Sequence, residues 1–77
     1  MKFDYSKLRG RIVEKFGSVE KFAEAMGLSK ASMSMKLNNG VSFTQTQIPQ
    51  ACFLLDIKSE EVGRYFFTVN VQKTEQV

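Results

Sequence analysis

The side chains best suited to recognition chemistry lie in residues 29–40. Lys30 and Ser34 carry hydrogen-bonding groups that match base edges, while Ala31 and Met35 offer the apolar contact that a thymine methyl group accepts. This stretch contains no acidic residue, so a helix across it would approach phosphates without repulsion. A purely structural solvent face is usually rich in Glu and Lys, and the pattern therefore favours a helix directed at DNA.

Two short helices and a tight turn must position that face. The sequence predicts one helix that begins after the N-cap Ser18 and ends at Met26, followed by a turn at Gly27. A second helix is expected over residues 30–38, with Ser29 as its N-cap. The following Asn-Gly pair is a stop signal that tolerates left-handed backbone geometry.

Small and apolar residues predict how these two helices pack. Ala23 lies where the helices would meet, and a larger side chain there would push their axes apart. Phe22 and Met26 are expected to face inward from the first of them, and Met33 and Leu37 from the second. This layout is typical of a helix-turn-helix that offers its second helix to a major groove. The alternative is a pair of packed helices in an ordinary bundle.

Three further helices complete a predicted all-α fold, a bundle of about five short helices. The first helix is expected over residues 5–16, with Asp4 as N-cap, and a closing helix over residues 59–65. The fourth helix is marked by an apolar stripe at Ile48, Ala51, Cys52 and Leu55. Its start is open: Thr44 with Gln47 has capping-box spacing, but a start at Thr46 keeps Pro49 within the first turn.

Two other groups of residues have a structural and a functional interpretation. The stripe Lys7, Arg11 and Lys15 is either a solvated helix face or a set of phosphate contacts, and Arg9 lies apart from it. Among the closing aromatics, Phe66 is expected inside. Because the neighbouring rings of Phe66 and Phe67 cannot both point inward, Phe67 is expected at the surface. Together with Tyr65 and Val69 it forms the candidate subunit interface.

Length and composition restrict the classes of function. The 77 residues suit one domain over residues 1–67, followed by a tail over residues 68–77 that is extended or disordered. One cysteine and no histidine exclude zinc sites of common spacing and catalysis by a histidine base, so an enzyme, a metal site or a cofactor is not expected. No small-molecule substrate is expected either. No apolar run approaches the roughly 20 residues that span a bilayer, which predicts a soluble cytoplasmic protein.

The chain resembles the phage repressor and Cro-type helix-turn-helix family, and more narrowly the small early regulators of temperate phages. The matching residues are Phe22-Ala23, Met26-Gly27-Leu28-Ser29, Met33, Asn38 to Gly40 and the closing run ending in Tyr65-Phe66-Phe67. By position, the resemblance implies that Lys30, Ala31, Ser34 and Met35 face base edges. It also implies that Ser29 and Asn38 lie near the DNA backbone.

The resemblance implies a phage or prophage regulator that binds operator double-stranded DNA in the lysis/lysogeny switch, with a homodimer reading two half-sites. The alternative is an antirepressor or modulator that binds a companion phage repressor instead of DNA. Two departures from the family bear on this choice. The loop over residues 41–45 is uncharged, and Lys36 stands where relatives often have an apolar residue. The uncharged loop and the outward Met35 favour the alternative, because methionine adapts well to protein surfaces.

Overall fold

Two glycines in the left-handed backbone region set the ends of the first two helices. In the computed structural model, which describes residues 2–69, helix α1 spans Ser6–Phe16 and ends at Gly17, where φ is 86°. Helix α2 spans Val19–Met26 and ends at Gly27, where φ is 75°. Glycine adopts these values without the steric penalty that a Cβ imposes, so the sequence itself stops both helices here.

Serine caps begin the second and third helices, as the sequence predicts. The Oγ of Ser18 accepts a hydrogen bond from the Lys21 amide at 3.2 Å. The Oγ of Ser29 accepts one from the Ser32 amide at 3.1 Å, and helix α3 spans Lys30–Leu37. Each cap satisfies an amide that has no partner within its own helix.

The start of the fourth helix combines the two predicted alternatives: the helix begins directly after Thr46, and the Thr44–Gln47 capping box also forms. Helix α4 spans Gln47–Leu55, which places Pro49 in its first turn. The Thr44 amide donates to Gln47 Oε1 at 3.0 Å, and the Gln47 amide donates to Thr44 Oγ1 at 3.1 Å. The predicted capping box therefore forms in the turn that leads into the helix.

The closing segment is helical and then meets the other end of the chain. A 3-10 turn at Ser59–Glu61 leads into helix α5, Val62–Phe66. Phe3 and Val69 form an isolated antiparallel bridge. Apart from this bridge, residues 2–69 contain no β-strand. The predicted all-α class is confirmed, while the rest of the predicted tail, residues 70–77, lies outside the described residues.

Asp4 does not cap α1, contrary to the sequence prediction. Tyr5 occupies the N-cap position and makes no side-chain cap bond. Asp4 Oδ1 instead accepts hydrogen bonds from the Ser6 hydroxyl and, at 2.9 Å, from the Ser6 amide, and both lower the pKa of the Asp4 carboxyl. The Asp4 amide donates to the Thr68 carbonyl at 2.7 Å, so this residue also ties the two terminal segments together.

The core lies where all five helices converge. Ala23 is almost fully buried, as expected at the contact between α2 and α3. The largest side chains excluded from solvent are Phe22, Phe66, Leu8, Ile12, Met33 and Leu55. No helix in the described part of the chain is both long enough and apolar enough to span a membrane.

Candidate functional site

The outward face of α3 carries the residues that the sequence singled out. Lys30 and Ala31 are exposed near its start, and Met35 is 50% exposed near its end. Ser34 lies between them and is half-buried, while the exposed Ser29 is engaged as the helix cap. The structure therefore brings the four predicted base-contacting side chains to one face.

Arg9 joins this face from α1. Its Nη2 donates to Asn38 Oδ1 at 2.9 Å, and Asn38 Nδ2 lies 3.5 Å from Ser34 Oγ. Asn38, predicted to lie near a DNA backbone, thus has a protein partner and connects α1 with the end of α3. Sequence reasoning left Arg9 unassigned, since 29 residues separate it from Asn38. The only sequence signal for a separate role of Arg9 was its position off the helix face formed by Lys7, Arg11 and Lys15.

Met35 and Val41 form an exposed apolar pair at the C-terminal end of α3. The Met35 carbonyl accepts hydrogen bonds from the Gly40 amide at 2.7 Å and from the Val41 amide at 3.4 Å. A Cβ at Gly40 would lie 3.3 Å from that carbonyl oxygen, so glycine allows the turn to close tightly here. Val41 was not predicted as part of the site, because its position depends on this turn.

Lys36 does not contribute to the charge of this face. Its side chain is only 6% exposed, and Nζ donates to the Ser42 carbonyl at 3.0 Å. The same ammonium lies 5.8 Å from the centroid of the Phe43 ring, within the range of a cation–π contact. Lys36 therefore holds the loop after α3 against the helix, and Lys30 is the exposed cation of α3.

The basic stripe on α1 is partly occupied by contacts within the molecule. Lys7 Nζ lies 5.1 Å above the Tyr65 ring. Arg11 donates from Nε to the Leu55 carbonyl at 2.9 Å and from Nη2 to the Asp56 carbonyl at 3.2 Å. These carbonyls belong to the C-terminal end of α4, where a cation is favoured. The guanidinium of Arg11 therefore caps the C-terminal end of α4, a role that neither interpretation of the stripe predicted.

The aromatic residues at the C-terminal end of α5 divide as predicted. Phe66 is buried, whereas Phe67 is 51% exposed and packs edge-on against Phe3 with ring centroids 5.9 Å apart. Tyr65 is half-buried beneath Lys7, and Val69 is exposed. An apolar surface exists here, in the region proposed for subunit contact.

Groups that could support catalysis or hold a metal are sparse in the described residues. Among residues 2–69, no three Cys, Asp or Glu side chains lie close enough to coordinate a metal ion. Cys52 is buried, and burial raises the pKa of its thiol, which keeps it protonated and unreactive at neutral pH. The principal candidate site is therefore the outward face of α3 together with the turn that follows this helix.

Comparison with known proteins identifies the family. The model of a family described as "Protein of unknown function (DUF739)" matches residues 1–69, and the chain belongs to this family. It is similar to the solution structure of the modulator of repression (MOR) of the temperate bacteriophage TP901-1 from Lactococcus lactis. The two are 40% identical with a TM-score of 0.78, and the match covers 94% of this chain and 97% of that one. No curated protein matches.

These findings correct the family but agree with the broader expectation. The family is not the phage repressor and Cro-type family that the helix-turn-helix residues resemble. The similarity to a temperate-phage protein concerned with repression is consistent with a phage regulator.

Proposed function

We propose that this DUF739-family chain modulates a phage repressor by binding the repressor protein through the face of α3 and its following turn. The similarity to a modulator of repression, at 40% identity over nearly the whole chain, carries this proposal. At that identity and coverage the two proteins share their fold. The face of α3 and its following turn is where the candidate binding side chains of this chain lie together. This function would operate in the cytoplasm of the bacterial host.

The composition of the face supports a protein partner. The exposed pair Met35 and Val41 supplies an apolar centre, and the Arg9–Asn38 hydrogen bond supplies a polar border. An apolar core with a polar rim is the usual anatomy of a protein interface. Methionine is also flexible and polarisable, which lets it fit an irregular partner surface.

A matched pair of substitutions tests the proposal. Met35→Asp places a charge in the apolar centre, and Val13→Asp places the same charge on α1 at a site that is equally exposed, 52% against 50%. We expect Met35→Asp to weaken binding of the purified companion repressor at least about tenfold, or ~1.4 kcal/mol, in calorimetric titration. Val13→Asp should bind normally. Wild-type affinity for folded Met35→Asp would refute the assigned surface.

Operator DNA is the second candidate partner, because Lys30 and Ala31 are exposed on a face free of acidic residues. In this mechanism Lys30 and Ser34 hydrogen-bond base edges, Ala31 and Met35 contact methyl groups, and a homodimer reads two half-sites. A gel shift with the flanking regulatory DNA, with and without the repressor, tests it. Operator binding that survives Lys30→Ala combined with Ser34→Ala would exclude this mechanism, and affinity that hardly changes with salt would show few phosphate contacts.

A further inference from the structure

A cavity of about 170 Å³ lies between the terminal segments, the loop after α3 and the start of α4. Five aromatic rings line it: Phe3, Tyr5, Phe43, Phe66 and Phe67. Two of the five, Phe3 and Phe67, come from the segments that meet at the terminal bridge. No part of the proposed contact through Met35 and Val41 uses this cavity.

The size and walls of the cavity fit one aromatic ring. An apolar cavity of about 150 Å³ in another protein stays dry and binds benzene, so this volume holds a ring of phenyl size. The wall rings already meet edge to face: Tyr5 and Phe43 at 82°, Phe43 and Phe66 at 88°. Aromatic rings favour this geometry, and a guest ring would find both ring edges and ring faces around it.

The surface around the cavity indicates that a protein supplies the ring. The wall residue Phe67 is exposed, and so is Val69, which bridges to the wall residue Phe3; apolar surface therefore extends beyond the cavity itself. Ser42 and Phe43 line the cavity and directly follow Val41, so the same short loop carries part of the cavity wall and part of the exposed Met35–Val41 pair. The Asn39 side chain holds the wall residue Phe3 against the end of α3, because it hydrogen-bonds both the amide and the carbonyl of Phe3 at 2.9 Å.

We infer that this cavity is a socket for one aromatic side chain of the repressor, a second anchoring point beside the Met35–Val41 patch. The inference rests on the proposed function for the identity of the partner, but not for the capacity of the socket. Buried aromatic anchors in preformed pockets commonly carry a large share of binding energy at protein interfaces. The socket would therefore add affinity and fix the orientation of the repressor on this surface.

The first experiment tests the socket in the free protein with toluene as the probe. Titration followed by NMR should give saturable shifts of the Ile48 methyl and Phe66 ring resonances. Ser42→Trp places a ring at the exposed edge of the cavity without altering the carbonyl that Lys36 uses, and it should raise the dissociation constant for toluene at least tenfold. If Ser42→Trp is unfolded by circular dichroism, Phe67→Ala, which removes a half-exposed wall, replaces it. Absence of saturable shifts in the wild type would overturn the inference.

The second experiment measures repressor affinity for Ser42→Trp, Met35→Asp and a control. Phe53→Ser is the control, because this ring is 85% exposed on α4 and does not line the cavity. The inference predicts at least tenfold weaker binding for Ser42→Trp, unchanged binding for Phe53→Ser, and displacement of toluene by the repressor. If only Met35→Asp weakens binding, the proposed function stands and the socket inference fails, and toluene binding alone would then indicate a site for a small aromatic molecule. If the wild type does not bind the repressor, the proposed function is refuted, and so is the claim that the repressor supplies the aromatic side chain.

Discussion

Asn39 offers the sharpest test of how the two ends of this chain are held. Its backbone lies in the left-handed region, with φ at 67°, immediately after α3. Its side-chain Oδ1 accepts from the Phe3 amide and its Nδ2 donates to the Phe3 carbonyl, both at 2.9 Å and both partly buried. A single side chain thus supplies the two hydrogen bonds that a neighbouring strand would give.

Replacement of Asn39 by alanine should therefore remove two kinds of stabilisation. The two neutral hydrogen bonds are worth about 0.5–1.5 kcal/mol each. Alanine also tolerates the left-handed conformation less well than asparagine, by about 1 kcal/mol. We expect Asn39→Ala to lower the free energy of unfolding by roughly 2–4 kcal/mol, a large part of the stability of a small domain. Asn39→Gly loses the same bonds without the backbone penalty and should be about 1 kcal/mol more stable than the alanine variant.

Urea unfolding followed by far-UV circular dichroism measures both differences, and hydrogen exchange of the Phe3 amide reports the bond itself. Loss of protection at Phe3 in both variants is expected. An Asn39→Ala variant within about 0.5 kcal/mol of the wild type, the range of an ordinary surface substitution, would refute the role of the two bonds. Equal stability of the alanine and glycine variants would refute the backbone contribution.

Two further predictions concern α4 and the buried phenol. Arg11→Met should destabilise the fold by about 1–3 kcal/mol, because the Leu55 and Asp56 carbonyls lose a charged donor. Lys15→Met on the same stripe should stay within about 0.5 kcal/mol in thermal unfolding, and equal effects would contradict the capping role. Burial raises the pKa of Tyr5 above its ordinary value of about 10, so the unfolded chain ionises first. Stability should fall as pH rises beyond that value, and less steeply in Tyr5→Phe. Identical profiles in alkaline urea titrations would count against the shift.

The local signals in the sequence identified the helices because their causes are local. Ser18 and Ser29 begin helices through bonds to amides three residues away, and Gly17 and Gly27 end them through their own backbone freedom. The capping box at Thr44 was recognisable for the same reason. One local inference failed: Asp4 bonds to the Ser6 amide, but the helix begins at Ser6, so Asp4 lies one residue before the N-cap position that Tyr5 occupies.

The parts of the site that escaped prediction depend on contacts between distant segments. Arg9 reaches Asn38 across 29 residues, and Arg11 reaches Leu55 across 44, so no periodic pattern contains either pair. The burial of Lys36 depends on where the loop carrying Ser42 returns to α3. The sequence thus predicted the face of α3 but not which of its charges would remain available, and the cavity could not be foreseen from any single segment.

The bridge between Phe3 and Val69 also has a consequence for the order of folding. The bridge joins the two ends of the described chain, and closing so long a segment carries an entropic penalty that no local contact offsets. The turn between α2 and α3, by contrast, closes over a few residues. The junction of the two termini should therefore form after the helices have assembled. In the native protein it should also be the first cooperative unit to open, which native-state exchange at the Asp4 amide would detect below the denaturant concentration of global unfolding.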